Sequence, residues 1–196
     1  MNKLTVATGN SHKTDEIRAM LGDGYAVTDL KSYPELADVE ETGSTFLENA
    51  TLKAVQISEQ ITGLVLSDDS GLEVDALNGE PGVYSARYAG AQGDDAANNA
   101  KLLAELSGIE QRSARFRCVM VLAENGEVLT HFDGAVEGDI ITQKQGQGGF
   151  GYDPLFIPHG FEATFAELGE DIKNSLSHRA MAMKHVVKWL AERSSE

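Results

Sequence analysis

One cysteine, Cys118, is all that the 196-residue chain carries. No intrachain disulfide can form, and a cysteine-rich zinc site is excluded. Basic residues are also scarce, 16 Lys and Arg against 31 Asp and Glu, giving a formal charge of -15. That balance argues against a nucleic acid polymer as partner, while a few bases focused in one place, with a divalent cation, could still hold a small anion. Long apolar runs are missing too. The opening Met1 to Gly9 has too few consecutive apolar residues for a secretory core, and no later stretch is long enough to span a bilayer. These shortfalls predict a cytoplasmic protein with no membrane partner. No internal repeat or low-complexity segment is visible. The composition is otherwise that of a folded protein, 41% hydrophobic and 24% charged, at a length that suits one well-buried domain or two lobes sharing a sheet.

Leu64-Val65-Leu66, after the breaker Gly63, reads as a short buried strand that runs into Asp68 and Asp69, with Gly71 letting the chain turn sharply at its end. In open α/β sheets ligands bind at the carboxyl ends of such strands. Adjacent carboxylates repel, so they are solvated, paired with cations or given a metal. A solvated turn explains the dipeptide alone equally well.

Leu4 to Thr8 predicts a first strand, and Thr8 to Lys13 a small-residue loop opening a helix with Ile17, Met20 and Leu21 on its apolar face. Free N–H groups at a helix start, a glycine and a lysine make an anion site, although the spacing is not that of the Walker loop. Tyr25 to Leu30 reads as a second strand, followed by an acidic stretch with Asp38, Glu40 and Glu41. Thr45-Phe46-Leu47-Glu48 has capping-box spacing, and Phe46, Ala50, Ala54, Ile57 and Ile61 predict a helix from about Thr45 to Thr62 that places Asn49 and Lys53 on one face.

Leu72, Val74 and Ala76 alternate towards the turn Asn78-Gly79. Asp94 caps a helix with Ala100, Leu103 and Leu106. Ala114 to Leu122 alternates with Cys118 as a packed core thiol, and Asn125-Gly126 predicts a hairpin to Val128 to Phe132, with a further strand at Ala135 to Ile141. The middle of the chain, roughly 72–141, therefore reads as an antiparallel lobe. The four glycines around Phe150 hold an aromatic ring in a loop, where it offers a flat face to a base or sugar beside the acceptor Asp153. Leu155 to Ile157 is a short strand. Ser177 caps a final helix with Met183, Val186, Val187 and Leu190 as its buried stripe, which puts His178 and Arg179 in a first turn where the helix dipole disfavours cations.

Taken in order, Thr8-Gly9-Asn10 with Lys13, Glu40 to Gly43 with Thr45-Phe46, Glu48-Asn49-Ala50 and Lys53-Ala54, Asp68 to Leu72, Pro81 to Tyr88, Gly149 to Pro154, and Lys173 with Ser177-His178-Arg179 give a sequence that resembles the inosine triphosphate pyrophosphatase family over nearly its whole length. The resemblance implies a single ITPase-like domain over 1–196, of α/β class, with an elongated mixed sheet flanked by helices, two lobes and a cleft between them. It also implies a Mg2+-dependent homodimer that hydrolyses purine nucleoside triphosphates outside the standard set (ITP, dITP, XTP) to the monophosphate and pyrophosphate.

By the same resemblance, Asp69, Asp68 and Lys53 are catalytic, and Asp68, Asp69, Glu40 and Glu41 are the metal candidates. The substrate-binding positions are Thr8, Gly9, Asn10, Ser11, His12 and Lys13, then Ser70, Phe150, Gly151, Tyr152, Asp153, Lys173, His178 and Arg179. Asp69 is expected to activate the attacking water. His178 and Arg179 are expected to donate to the C6 carbonyl that hypoxanthine and xanthine carry where adenine has an amino group.

Overall fold

A computed structural model describes residues 2–36 and 39–193; Asp38, part of the acidic stretch, lies outside them. The fold is α/β. Six strands form one sheet in the order β2-β1-β3-β4-β5-β6. They are β1 (Asn2–Val6), β2 (Tyr25–Asp29), β3 (Leu64–Val74), β4 (Ser113–Glu124), β5 (Glu127–Ile140) and β6 (Phe156–Pro158). Among the described residues six α-helices accompany them: α1 (Ser11–Leu21), α2 (Phe46–Ser58), α3 (Asp95–Glu105), α4 (Phe165–Leu168), α5 (Glu170–Leu176) and α6 (His178–Arg193). The sheet is mixed, with β1 parallel to both β2 and β3, and β5 antiparallel to β6.

Contacts divide the chain into two compact units. One comprises 1–69, 118–134 and 181–196, the other 70–117 and 135–180. In the first, Leu4, Val6, Leu66, Cys118, Met120 and Leu122 meet Ile17 of α1 and Met183, Val186 and Leu190 of α6. On the other face of the same strands, Val65 and Ala7 meet Ile57 of α2. With both faces covered, the strands bury consecutive residues rather than every second one, as parallel strands do. In the second unit, Leu72, Val74, Ala114, Phe116 and Phe156 pack with Leu102 and Leu106 of α3 and Phe165 of α4.

Local chemistry accounts for the element ends. Thr45 accepts from the Glu48 N–H while the Glu48 carboxylate takes the N–H of Thr45, a complete capping box. Asp94 caps α3 through the Ala97 N–H, and Ser177 caps α6 through that of Ala180. Asn125 and Gly126 have φ of 53° and 81°, the two-residue type I′ turn that joins antiparallel strands with the native twist. Cys118 is buried in the core, as expected.

Four expectations are corrected. Strand β3 does not end at Asp68 but continues through Asp69, Ser70 and Gly71 to Val74, because burial on both sides overrides the weak strand preference of Asp, Ser and Gly. Strand β5 runs unbroken from Glu127 to Ile140 where two strands were expected. Helix α2 stops at Ser58, short of Thr62. Val187 is exposed, and Ala182 takes its place in the buried stripe of α6.

Candidate active site

The continuity of β3 decides how its two acids are used. Successive side chains of a strand point to opposite faces, and the partners follow that rule. Ser67 donates to the Ala50 carbonyl of α2, and Asp69 Oδ2 accepts from Asn49 Nδ2 of the same helix at 3.1 Å. Leu66 packs with α1, and Asp68 Oδ2 lies 2.9 Å from the ammonium of Lys13 on that helix. Asp68 and Asp69 are therefore adjacent in sequence but serve opposite sides of the sheet. Both are buried, at 1% and 6% exposure.

On the α2 side, Lys53 Nζ donates to Glu41 Oε1 at 2.5 Å and to the Asp68 carbonyl at 2.7 Å. Asn49 also accepts the Gly43 N–H at 2.8 Å, so one buried amide ties the acidic loop to Asp69. Gly43 has no alternative there, since a Cβ would lie 2.6 Å from Glu48 Cβ and 2.7 Å from Asn49 Oδ1. Burial pushes the Asp69 carboxyl up to about 6, and Glu41 adds to the rise, while Lys53, Lys13 and the Asn49 N–H oppose it. For Lys53, burial works against the charge, but Asp68, Asp69 and Glu41 more than offset it and the ammonium is held above its ordinary range. The result is a carboxylate that can exchange a proton near neutrality beside a lysine that cannot lose its own. Such a pairing suits a general base with a fixed electrostatic partner.

At the start of α1 the structure differs from expectation. Asn10 Oδ1 accepts from the His12 and Lys13 N–H groups at 3.0 and 3.4 Å, and Thr8 Oγ1 from the Asn10 N–H at 3.1 Å. Two of the helix-start donors are thus engaged by their own cap. Lys31 Nζ is bonded to Ser11 Oγ. His12, Gly9 and Asn10 are exposed.

The four metal candidates do not stand together. Glu41 and Asp69 share the neighbourhood of Lys53, Asp68 faces Lys13, and Glu40 is exposed, its carbonyl accepting the Thr42 N–H. Among the described residues no three of His, Cys, Asp and Glu converge as a preformed metal cluster. Mg2+ rarely needs one, because it is commonly held by one or two carboxylates together with substrate phosphates and water. Glu41 beside a buried, proton-seeking Asp69 fits that requirement.

The remaining candidates belong to the second unit. Lys173 Nζ donates to Asp153 Oδ2 at 2.7 Å and sits 4.3 Å from the centre of the Phe150 ring, so the ammonium caps one face of that ring. Asp153 Oδ2 also accepts the Phe150 N–H at 2.9 Å. A Cβ on Gly149 would come 2.1 Å from the same oxygen, which accounts for the glycine. Tyr152 is buried, donating its hydroxyl to the Ser85 carbonyl at 2.8 Å. At the start of α6, Arg179 is 1% exposed and donates to Ser70 Oγ at 3.3 Å, while the His178 ring stacks on Phe116 at 5.0 Å.

Sequence reasoning did not assign Asp95 and Asn99 of α3. Asp95 Oδ2 accepts the Gly151 N–H at 2.7 Å and Asn99 Nδ2 donates to the Gly151 carbonyl at 2.8 Å. Their spacing of four on one helix face was the available signal.

Residues 4–189 match the Ham1 family. Over 193 residues the chain is 49% identical to a protein of Halalkalibacterium halodurans named dITP/XTP pyrophosphatase, covering 97% of this chain and 100% of that one. Among solved structures, the Ham1 protein of Staphylococcus aureus superposes with a TM-score of 0.89 at 40% identity, and a HAM1 protein of Coxiella burnetii with 0.90 at 39%. Each match covers 98% of this chain and 100% of the other.

Proposed function

The chain belongs to the Ham1 family, and from that premise we propose that it hydrolyses ITP, dITP and XTP to the nucleoside monophosphate and pyrophosphate. The observation that carries the reading is Asp69, a buried carboxylate titrating near 6 and flanked by Glu41 and Lys53. Lys13 and Lys53 supply the cations that a triphosphate needs. Asp69 accepts the proton of the attacking water, and the Asn49 N–H fixes the direction in which its other oxygen points. Lys53, kept charged by three carboxylates, stabilises the negative charge that builds on the departing pyrophosphate. Asp68 holds Lys13 in position. Glu41, together with the phosphates, would hold Mg2+, which when bound neutralises phosphate charge and makes the phosphorus more open to attack.

In the second unit, Phe150 offers the flat surface of its ring to the purine. His178 and Arg179 donate to a C6 carbonyl and leave a donor facing a donor when adenine enters. An unmatched buried donor costs about 1 to 3 kcal/mol, roughly ten- to hundredfold in selectivity.

The substrates belong to the cytoplasmic nucleotide pool, and we place the protein there. We also propose a homodimer. Supporting it, the Glu127–Gly134 stretch of β5 exposes Val128 at 44% and Leu129 at 38%, one large apolar side chain on each face of the strand, which a second copy would shield from water. Steady-state kinetics over ITP, XTP, dTTP, UTP and ATP, with and without Mg2+, tests the reading. It predicts Mg2+-dependent preference for ITP and XTP, and equal or faster turnover of the pyrimidine triphosphates would contradict it.

A further inference from the structure

We propose that Asp95 and Asn99 of α3 are positioning residues that hold the Phe150-Gly151 segment in its substrate-receiving conformation and so set affinity and base preference without taking part in the chemistry. The inference rests on the proposed nucleotide hydrolysis and deepens it.

Three observations support it. First, the pair grips both polar groups of one peptide residue. Gly151 N–H goes to Asp95 Oδ2 and Gly151 C=O to Asn99 Nδ2, with Asn99 Nδ2 also donating to the Asp95 carbonyl at 2.6 Å.

Second, the grip costs something. Asn99 Oδ1 is buried and has no hydrogen-bond partner among the described residues. Flipping the amide would set that oxygen against two carbonyls, so the orientation is forced. A buried acceptor left unmatched is destabilising, and such losses persist where a site demands them.

Third, the grip is placed where it matters. On one side of Gly151 the Phe150 N–H is tied to Asp153 and the ring is capped by Lys173; on the other, Tyr152 is anchored to the Ser85 carbonyl. Gly151 itself has a φ of 61°, a conformation with little intrinsic preference to keep the chain there. The pair therefore secures the peptide that lies between these two anchored neighbours.

The test uses isosteric variants of the full chain. N99D removes the donor and D95N keeps an acceptor. N99D and N99A are expected to raise KM for ITP about tenfold and lower the ITP to ATP preference by a similar factor, with kcat within about twofold of wild type. D95N is expected to stay within about twofold on all three, and D95A to behave like N99A. A purely structural role through the helix terminus would instead make D95N as damaging as D95A, since both remove the same charge from the first turn. Circular dichroism and Tm confirm that the variants fold, and ITP binding by calorimetry in EDTA gives the affinity change independently of turnover. Wild-type turnover of ITP together with an unchanged KM and base preference in N99D would overturn the inference alone. Absence of ITP turnover by the wild type would instead remove the functional reading on which it rests.

Discussion

Replacing Asp69 with asparagine is expected to stop turnover and, at neutral pH, to make the protein more stable. The side chain is buried at 6% exposure and its carboxyl titrates near 6 rather than at 3.8, chiefly because burial penalises the charge and then because Glu41 is close. A rise of about two pH units is worth about 3 kcal/mol. The folded chain binds this proton more tightly than the unfolded chain does. The contribution is therefore fully present below pH 3.8, declines between 3.8 and 6, and is lost above 6, where the ionised group carries its full burial penalty. Asparagine has the same shape, has no charge to desolvate, and can still accept from Asn49 Nδ2. Lys53 is not stranded by the change, because Glu41 and the Asp68 carbonyl remain its partners.

For a chain of this size about 3 kcal/mol corresponds to roughly 6–12 °C in Tm. Thermal unfolding of wild type and D69N in EDTA, followed from pH 8 to pH 4, should show the variant melting higher at pH 8, with the difference closing as the pH falls through 6 towards 4. A difference that does not change with pH, or a variant less stable than wild type at pH 8, would refute the assignment of the burial cost to this carboxylate.

Other consequences can be checked in parallel. Lys173→Met should destabilise by about 3 to 5 kcal/mol by leaving Asp153 buried without its ammonium, and the double variant with D153N should recover most of the loss in urea unfolding. Gly43→Ala should cost about 1 to 3 kcal/mol and lower kcat, since the new Cβ presses on Glu48 and Asn49 and drags the acidic loop from Asp69; an unchanged kcat would sever that link. Arg179→Ala should reduce the preference for ITP over ATP by roughly tenfold or more, and an untouched ratio would remove Arg179 from base reading. Thr45→Ala should cost about 1 kcal/mol through loss of the α2 cap, without altering base preference.

Where local chemistry carried its own signal, the chain was legible. The capping box at Thr45, the cap at Asp94 and the Asn125-Gly126 turn each specify their geometry within four residues, and all three stand in the structure. Sequence misled where long-range packing decides. Asp68-Asp69-Ser70-Gly71 is built of turn-forming residues, yet Lys13, Asn49 and the flanking helices make it the interior of a strand. That one change separates two acids that adjacency had suggested would act as a pair. Asp133-Gly134 gave a similar false break in β5. The engagement of the α1 donors by Asn10 also depends on side-chain orientation, which spacing does not report. Asp95 and Asn99 were harder still, because their target is a backbone more than fifty residues away.

Hydrolysis of ITP followed by 31P NMR, with wild type and D69N side by side in Mg2+, tests the central claim most directly. The account predicts IMP and pyrophosphate as the first products of wild type and no turnover by D69N, which still binds ITP. Release of orthophosphate with IDP, or near-normal pyrophosphate formation by D69N, would contradict it.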